Sequence, residues 1–135
     1  MKTKATLELA DVKVMVAAAE AEALENGWAV SIAVVDDGGH LLWMQRLDGA
    51  GALTAHLAPA KALTSVMGRR ESKVYEDMIN GGRASFLSAP DLDSMLEGGV
   101  PILKDGQCLG AVGVSGVKSS EDAQIAKAAV AVLGN

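Results

Sequence analysis

The sequence is poor in cysteine, aromatic residues and proline, and these shortages exclude several kinds of protein. Its 135 residues include one cysteine, three prolines and 3% aromatic residues. A single cysteine permits neither an intramolecular disulfide nor a cysteine cluster for zinc or iron–sulfur. Because Cys108 lies in an apolar run, we expect a buried, unreactive thiol rather than a nucleophile. Alanine, valine, leucine and methionine must fill the core, which allows helices to pack closely.

Charge and hydropathy argue against nucleic-acid and membrane partners. The formal net charge is −5, and no basic stripe interleaved with aromatic residues is present, which argues against nucleic-acid binding. The N-terminal residues MKTKATLELADVK lack the apolar segment of a secretory signal, and no apolar run is long enough to span a membrane. We therefore expect a cytoplasmic protein with no membrane partner.

The first half of the chain predicts a helix followed by a hairpin and a second helix. Helical spacing of apolar residues predicts a helix over about 7–25, with Thr6 as its N-cap. WAVSIAVV and HLLWMQRL flank the Asp/Gly turn at 36–39 and predict a β-hairpin. An alanine-rich helix follows over 54–70, in which Pro59 either begins the helix proper or kinks its opening turn.

The second half predicts a short helix, a second hairpin and a final helix. The short helix is capped by Ser72, and residues 83–97 fit either a helical turn or an edge strand. VPIL and QCLGAVGVS flank a Lys-Asp-Gly turn and predict the second hairpin. Ser119 opens the last helix, with Asp122 at the N3 position of a capping box.

This order of elements predicts an α+β fold in a single domain over residues 1–135. Strands and helices do not alternate every thirty residues or so, as a parallel Rossmann sheet requires. An antiparallel sheet flanked by helices is the better interpretation.

A run of glycines before the last helix raises the question of a nucleotide site. The spacing Gly110-x-x-Gly113-x-x-Gly116 fits neither the dinucleotide fingerprint nor the Walker motif, so we expect no nucleotide cofactor. Gly110 and Gly113 differ by an odd number and face opposite sides of the strand. They permit close approach of a helix on one face and of another backbone or a flat ligand on the other. Helix packing and a ligand role remain open alternatives.

Four stretches of the sequence are informative when taken together: SIAVVDDGGHLLWMQRLDGA, APAKALTSV and GGVPILKDGQCLGAVGVSG, followed by EDAQIAKAAVAVL. They resemble the GlcG/HbpS-like family of small haem-binding proteins, which includes the C-terminal domain of PduO-type proteins. Each motif alone is weak, but their order from Thr6 to Leu133 is specific. The resemblance implies a five-stranded antiparallel sheet of the profilin-like or roadblock-like sort. It also implies homo-oligomers, often octamers, haem or tetrapyrrole binding in some members, and a place in catabolic gene clusters for others.

Two histidines are candidate ligands. His40 follows the first turn, where hydrogen bonding to nearby backbone is the favoured role. His56 lies near the start of the alanine-rich helix and is the better candidate for a haem iron ligand or a proton-transferring group. A plain exposed histidine is the alternative for His56.

The other candidate site residues lie within the family-like motifs. Arg46 offers a fork suited to carboxylates such as haem propionates, and Asp48 either holds Arg46 or shapes the turn. Lys61 is a pocket residue by resemblance, and it needs a partner if buried. Glu97 is a candidate general base in an enzyme. The full set of predicted ligand-binding residues is Arg46, Asp48, His56, Lys61, Gly113 and Ser115, with His56, Lys61 and Glu97 as catalytic candidates.

Three functions remain in competition at this stage. The first is a cytoplasmic protein that binds haem or a related tetrapyrrole, which the resemblance implies. The second is a cofactor-independent isomerase, lyase or hydrolase acting on a small organic acid or carbonyl compound. The third is an oligomeric scaffold without chemistry. The lack of an obvious catalytic triad counts against covalent catalysis.

Overall fold

One antiparallel sheet lies at the centre of the molecule. In the computed structural model, which describes residues 1–134, its strands are β1 (Ser31–Asp36), β2 (Leu41–Arg46), β3 (Gly99–Lys104) and β4 (Gln107–Ser115). Their order across the sheet is β2-β1-β4-β3. Both predicted hairpins are confirmed, because β1 pairs with β2 and β3 with β4, each antiparallel. In the centre of the sheet, β1 pairs with β4, which joins the two hairpins.

The expected fifth strand is absent from the described part of the chain. Residues 83–97, where the sequence left an edge strand open, contain a short 3-10 helix (Ala84–Ser88) and then irregular backbone. Pro90 cannot donate a ladder hydrogen bond, and Asp91 has a positive φ of 61°. The segment therefore cannot continue as a regular strand, and the sheet has four strands rather than five.

Helices cover both faces of the sheet. They are α1 (Leu9–Glu25), α2 (Ala52–Gly68), α3 (Lys73–Asn80) and α4 (Ser119–Ala131). The alternation of strand residues assigns the faces, since Ile32, Val34, Val112 and Val114 pack in one core with α1 and α4. Val35 and Ala111 pack in a second core with Ala62 and Val66 of α2. The predicted α+β single domain with an antiparallel sheet is confirmed.

Two helix starts differ from the prediction by their capping residues. The backbone N–H of Glu8 donates to the Asp11 carboxylate at 2.8 Å, so α1 begins after Glu8 rather than Thr6. The N–H of Lys118 donates to Glu121 at 3.3 Å. The reciprocal carboxylate at N3 of α4 is therefore Glu121, the residue type usual in a capping box. Asp122 lies one residue further on and has another role.

Pro59 lies inside α2, about two turns after the helix begins. The alternative in which Pro59 begins the helix proper is therefore wrong. None of the helices within residues 1–134 combines the length and apolar character needed to cross a membrane.

Glycines let α2 lie close to the sheet. A Cβ atom built at Gly113 would overlap the carbonyl oxygen of Ala58, and one built at Gly99 would overlap the carbonyl oxygen of Lys61. Gly110 faces the other side, where a Cβ would meet Val35 and the side chain of Leu7. The opposite orientations of Gly110 and Gly113 are as predicted, and at Gly113 the close neighbour is a helix.

Candidate functional site

Several predicted residues meet at the end of the sheet where α2 begins. Strand register aligns Arg46 of β2 with Ser31 of β1 and Ser115 of β4. The Ser31 hydroxyl is hydrogen-bonded to the Thr54 hydroxyl in the first turn of α2, at 2.8 Å. This contact ties the start of α2 to the sheet. Because of the strand register, Arg46 lies in the same row of the sheet as the buried Ser115.

Arg46 is exposed and is oriented by the loop that follows its strand. Its Nε donates a hydrogen bond to the carbonyl of Ala50 at 2.9 Å. A guanidinium carries five N–H donors, so this contact leaves the terminal nitrogens available for a planar anion such as a carboxylate. Asp48 is exposed in the same loop, and the ion pairs found within residues 1–134 do not join it to Arg46. Its predicted role in holding Arg46 stays a prediction.

His56 lies on the exposed side of α2, one turn after the helix begins. Its neighbour in the chain, Leu57, lines a cleft of about 370 Å³ between α2, α3 and the irregular segment that precedes β3. We call this cleft the α2–α3 groove. Its other walls are mainly apolar, formed by Ile79, Leu87, Leu92, Met95 and Leu96, with Glu76 and Asp93 among its polar residues. The imidazole therefore lies on the helix that forms one wall of an apolar cleft.

Lys61 forms an ion pair in the core. Its side chain is 2% exposed, and its ammonium donates to the carboxylate of Asp122 and to the carbonyl of Val114, both at 3.0 Å. The other carboxylate oxygen of Asp122 accepts the N–H of Val117 at 3.1 Å. Burial raises the pKa of Asp122, although Lys61 and the Val117 N–H oppose that shift. The pair joins α2, β4 and α4.

Asp122 is the residue that sequence reasoning missed. The prediction that a buried Lys61 needs a partner was sound, but Asp122 had been assigned to a helix cap. The overlooked signal is that Glu121 supplies the usual N3 carboxylate, which leaves the next acid free to face inward. Of the predicted ligand-binding residues, Lys61, Gly113 and Ser115 are covered by protein here. Their contact with a ligand stays a prediction.

Glu97 is half-buried in the irregular segment just before β3. Its backbone N–H donates to the Glu76 carboxylate at 2.7 Å, and it directly precedes Gly98, where a Cβ would lie 2.9 Å from the ammonium of Lys61. The structure thus places Glu97 beside Glu76, a residue of the α2–α3 groove. The other candidate residues His56 and Arg46 lie on α2 and β2. A base role for Glu97 is untested.

His40 and Cys108 have local roles. His40 donates its N–H to Asp36 at 2.9 Å, and its ring Nδ1 lies 3.1 Å from the same carboxylate. The ring is thus hydrogen-bonded at the turn as predicted, but its partner is a carboxylate rather than the backbone. Cys108 is half-buried, and burial raises the pKa of its thiol, which favours the predicted unreactive form. Within residues 1–134, no three His, Cys, Asp or Glu side chains come together as a metal site.

The fold and motifs agree with comparisons to known proteins. A sequence model of the family described as "Haem degrading protein HbpS-like" matches residues 7–131. The chain belongs to the HbpS-like family. Protein GlcG of Escherichia coli K12 is 53% identical over 115 residues, which is 85% of each chain. The 15.0 kDa protein of the dhaT-dhaS intergenic region of Citrobacter freundii is 35% identical over 129 residues, covering 93% of this chain and 91% of that one.

Solved structures of the HbpS-like family share its fold. HbpS aligns with a TM-score of 0.90 at 30% identity, over 100% of this chain and 95% of that chain. A PduOC:heme complex aligns with a TM-score of 0.89 at 25% identity, over 96% of each chain. The recognition of the family from its sequence motifs is confirmed.

Proposed function

We propose that this HbpS-like chain binds haem or a related tetrapyrrole, with His56 as the iron ligand and Arg46 as the partner of a propionate. The observation that carries the proposal is the similar fold of the PduOC:heme complex, which aligns over 96% of this chain. Bound haem supplies an iron centre that exchanges ligands or electrons. The chain's part is to offer an imidazole, an apolar surface and a cation.

The residues at the start of α2 fit such a group. His56 is exposed, and neutral imidazole is a common haem iron ligand. Leu53, 66% exposed, lies three residues before His56 on the same helix face, and Leu57 adds the apolar wall of the groove. Arg46 retains donors for a carboxylate. The imidazole and the apolar wall thus come from the first turns of α2, and the guanidinium comes from the end of β2.

The α2–α3 groove also limits what one copy can enclose. Its volume of about 370 Å³ is at the low end of the range for pockets that bury most of a drug-sized ligand. A flat tetrapyrrole would be covered on one side only. We therefore propose that a second copy of the chain covers the other side, within the homo-oligomer, often an octamer, that the family resemblance implies.

A cofactor-independent isomerase, lyase or hydrolase of small organic acids or carbonyl compounds is less well supported. Lys61, one of its three candidate groups, is held in the core by Asp122. The remaining two, His56 and Glu97, lie on separate elements. General acid–base catalysis requires its groups within hydrogen-bond reach of one substrate.

The decisive experiment is a hemin titration followed by absorbance. Wild-type protein should give a saturable, shifted Soret band at stoichiometric hemin. His56→Ala should alter that band strongly, whereas His40→Ala should leave it unchanged because His40 is hydrogen-bonded within its turn. Arg46→Gln should weaken binding while keeping the band position, since it touches a propionate and not the iron. An unshifted Soret band in the wild type would refute the proposal.

A further inference from the structure

A second cleft lies at the opposite end of the sheet from Arg46. Its volume is about 410 Å³, and it is bounded by the N-terminal segment, the turn after β1, the end of α2 and the turn before β4. Lys2, Lys4, Arg69, Asp37, Val66 and Cys108 are among the residues that line it. We call it the basic cleft. The proposed haem site does not use any of these residues.

The charges in the basic cleft are not balanced. Three of the chain's 12 lysines and arginines line it, in a protein whose net charge is −5. The one carboxylate among the lining residues, Asp37, pairs with Lys4. Within residues 1–134, the ion pairs include neither Lys2 nor Arg69. Two cations therefore face this cleft without a protein anion.

The N-terminal segment is fastened, so its lysines are not loosely trailing. The Gln107 side chain accepts the N–H of Ala5 at 3.2 Å and donates to the carbonyl of Thr3 at 3.1 Å. Together with the Lys4–Asp37 ion pair, these contacts fix residues 3–5 across β4 and the turn after β1. Lys2 is adjacent to this fastened segment and is thereby kept beside the cleft.

Arg69 is held on the other wall. It ends α2 with a left-handed φ of 56°, and its backbone N–H donates to the carbonyls of Ser65 and Val66. A cation near the C-terminus of α2 also interacts favourably with the helix dipole. Arg70, the next residue, is equally well placed for that interaction. Val66 and the half-buried Cys108 form the less polar part of the lining.

We propose that the basic cleft is a binding site for a small organic anion that carries a carboxylate or a phosphate. Arg69 binds the anion through its forked N–H donors and Lys2 through its ammonium, while Val66 and Cys108 contact a short apolar body. Both anionic groups match a guanidinium in geometry and charge. Binding here is independent of haem, so failure of the hemin titration leaves this proposal standing.

Titration calorimetry with malonate and with inorganic phosphate tests the site and separates the two anion classes. We expect saturable binding of at least one of them at constant ionic strength. Arg69→Gln should weaken it about tenfold or more, as loss of a charge-assisted hydrogen bond predicts. Lys13→Gln, which removes the same charge from the exposed side of α1, is the matched control and should bind as the wild type does.

Cys108 provides a second readout because it is the only cysteine in the chain and is only half-buried, so a small reagent reaches it although the thiol reacts slowly. The bound anion should slow alkylation of Cys108 by the uncharged reagent N-ethylmaleimide, and Arg69→Gln should abolish that protection. Equal protection by chloride at the same ionic strength would mean that charge screening, and not a bound anion, slows the alkylation of Cys108. That result would overturn the proposal. So would the absence of calorimetric binding for both anions, or equal weakening by Lys13→Gln and Arg69→Gln.

Discussion

At the scale of single residues, the buried Lys61–Asp122 pair is the most consequential feature. Charges are removed from water only at a cost of several kcal/mol each, which good geometry and extra hydrogen bonds must offset. Both conditions are met, since Lys61 also donates to Val114 and Asp122 also accepts from Val117. The pair fixes the relative positions of three elements, and a catalytic role for Lys61 stays a prediction.

We predict that Lys61→Met destabilises the protein by about 3–5 kcal/mol, because it leaves the Asp122 carboxylate buried without its counter-charge. The matched control is Lys73→Met, which breaks the exposed pair with Asp77 and should have a much smaller effect, because an ion pair exposed to water adds little to stability. Urea denaturation measures both. Adding Asp122→Asn to Lys61→Met should restore part of the loss. Equal effects of Lys61→Met and Lys73→Met would show that the buried pair has no special weight.

At the scale of elements, local patterns predicted most of the fold. Apolar spacing placed the helices, and turn residues placed both hairpins, since these signals are contained within a few neighbouring residues. The irregular segment at 83–97 could not be predicted, because its path depends on contacts such as that of the Ser94 carbonyl with buried Thr64. The direction of Asp122 was missed for the same reason: its partner lies 61 residues away.

The contact of α2 with β4 leaves no room for a side chain at Gly113. We predict that Gly113→Val destabilises the protein by roughly 1–3 kcal/mol, as an overpacked core site does, because the new Cβ meets backbone atoms of Ala58 and Ala62. Gly51→Ser is the control, since a Cβ at Gly51 has open space and serine suits a helix N-cap. Thermal unfolding should show a lower Tm for Gly113→Val only. An unchanged Tm would mean that α2 can move away from the sheet.

At the scale of the whole molecule, the two edges of the sheet differ. The edge strand β3 contains Pro101, which lacks an N–H and discourages pairing with another chain. The other edge strand, β2, has no charged residue before Arg46, and it exposes Leu41 and Leu42, at 55% and 37%. Ala58 and Ala62 of α2 are small, but they are buried against the sheet and offer no surface to another copy. The surface for association must be sought elsewhere.

We therefore predict that the chain forms a homo-oligomer in which the β2 edge contributes to the contact. Light scattering at micromolar concentration should give a mass that is a multiple of 13.8 kDa. Leu41→Lys should shift the population toward smaller species, because a lysine on an edge strand opposes strand pairing. Leu103→Lys, on the edge that Pro101 protects, should leave the mass unchanged although Leu103 is 42% exposed. A wild-type mass near 13.8 kDa would contradict the association itself. A loss of assembly in Leu103→Lys alone would move the contact to the β3 edge.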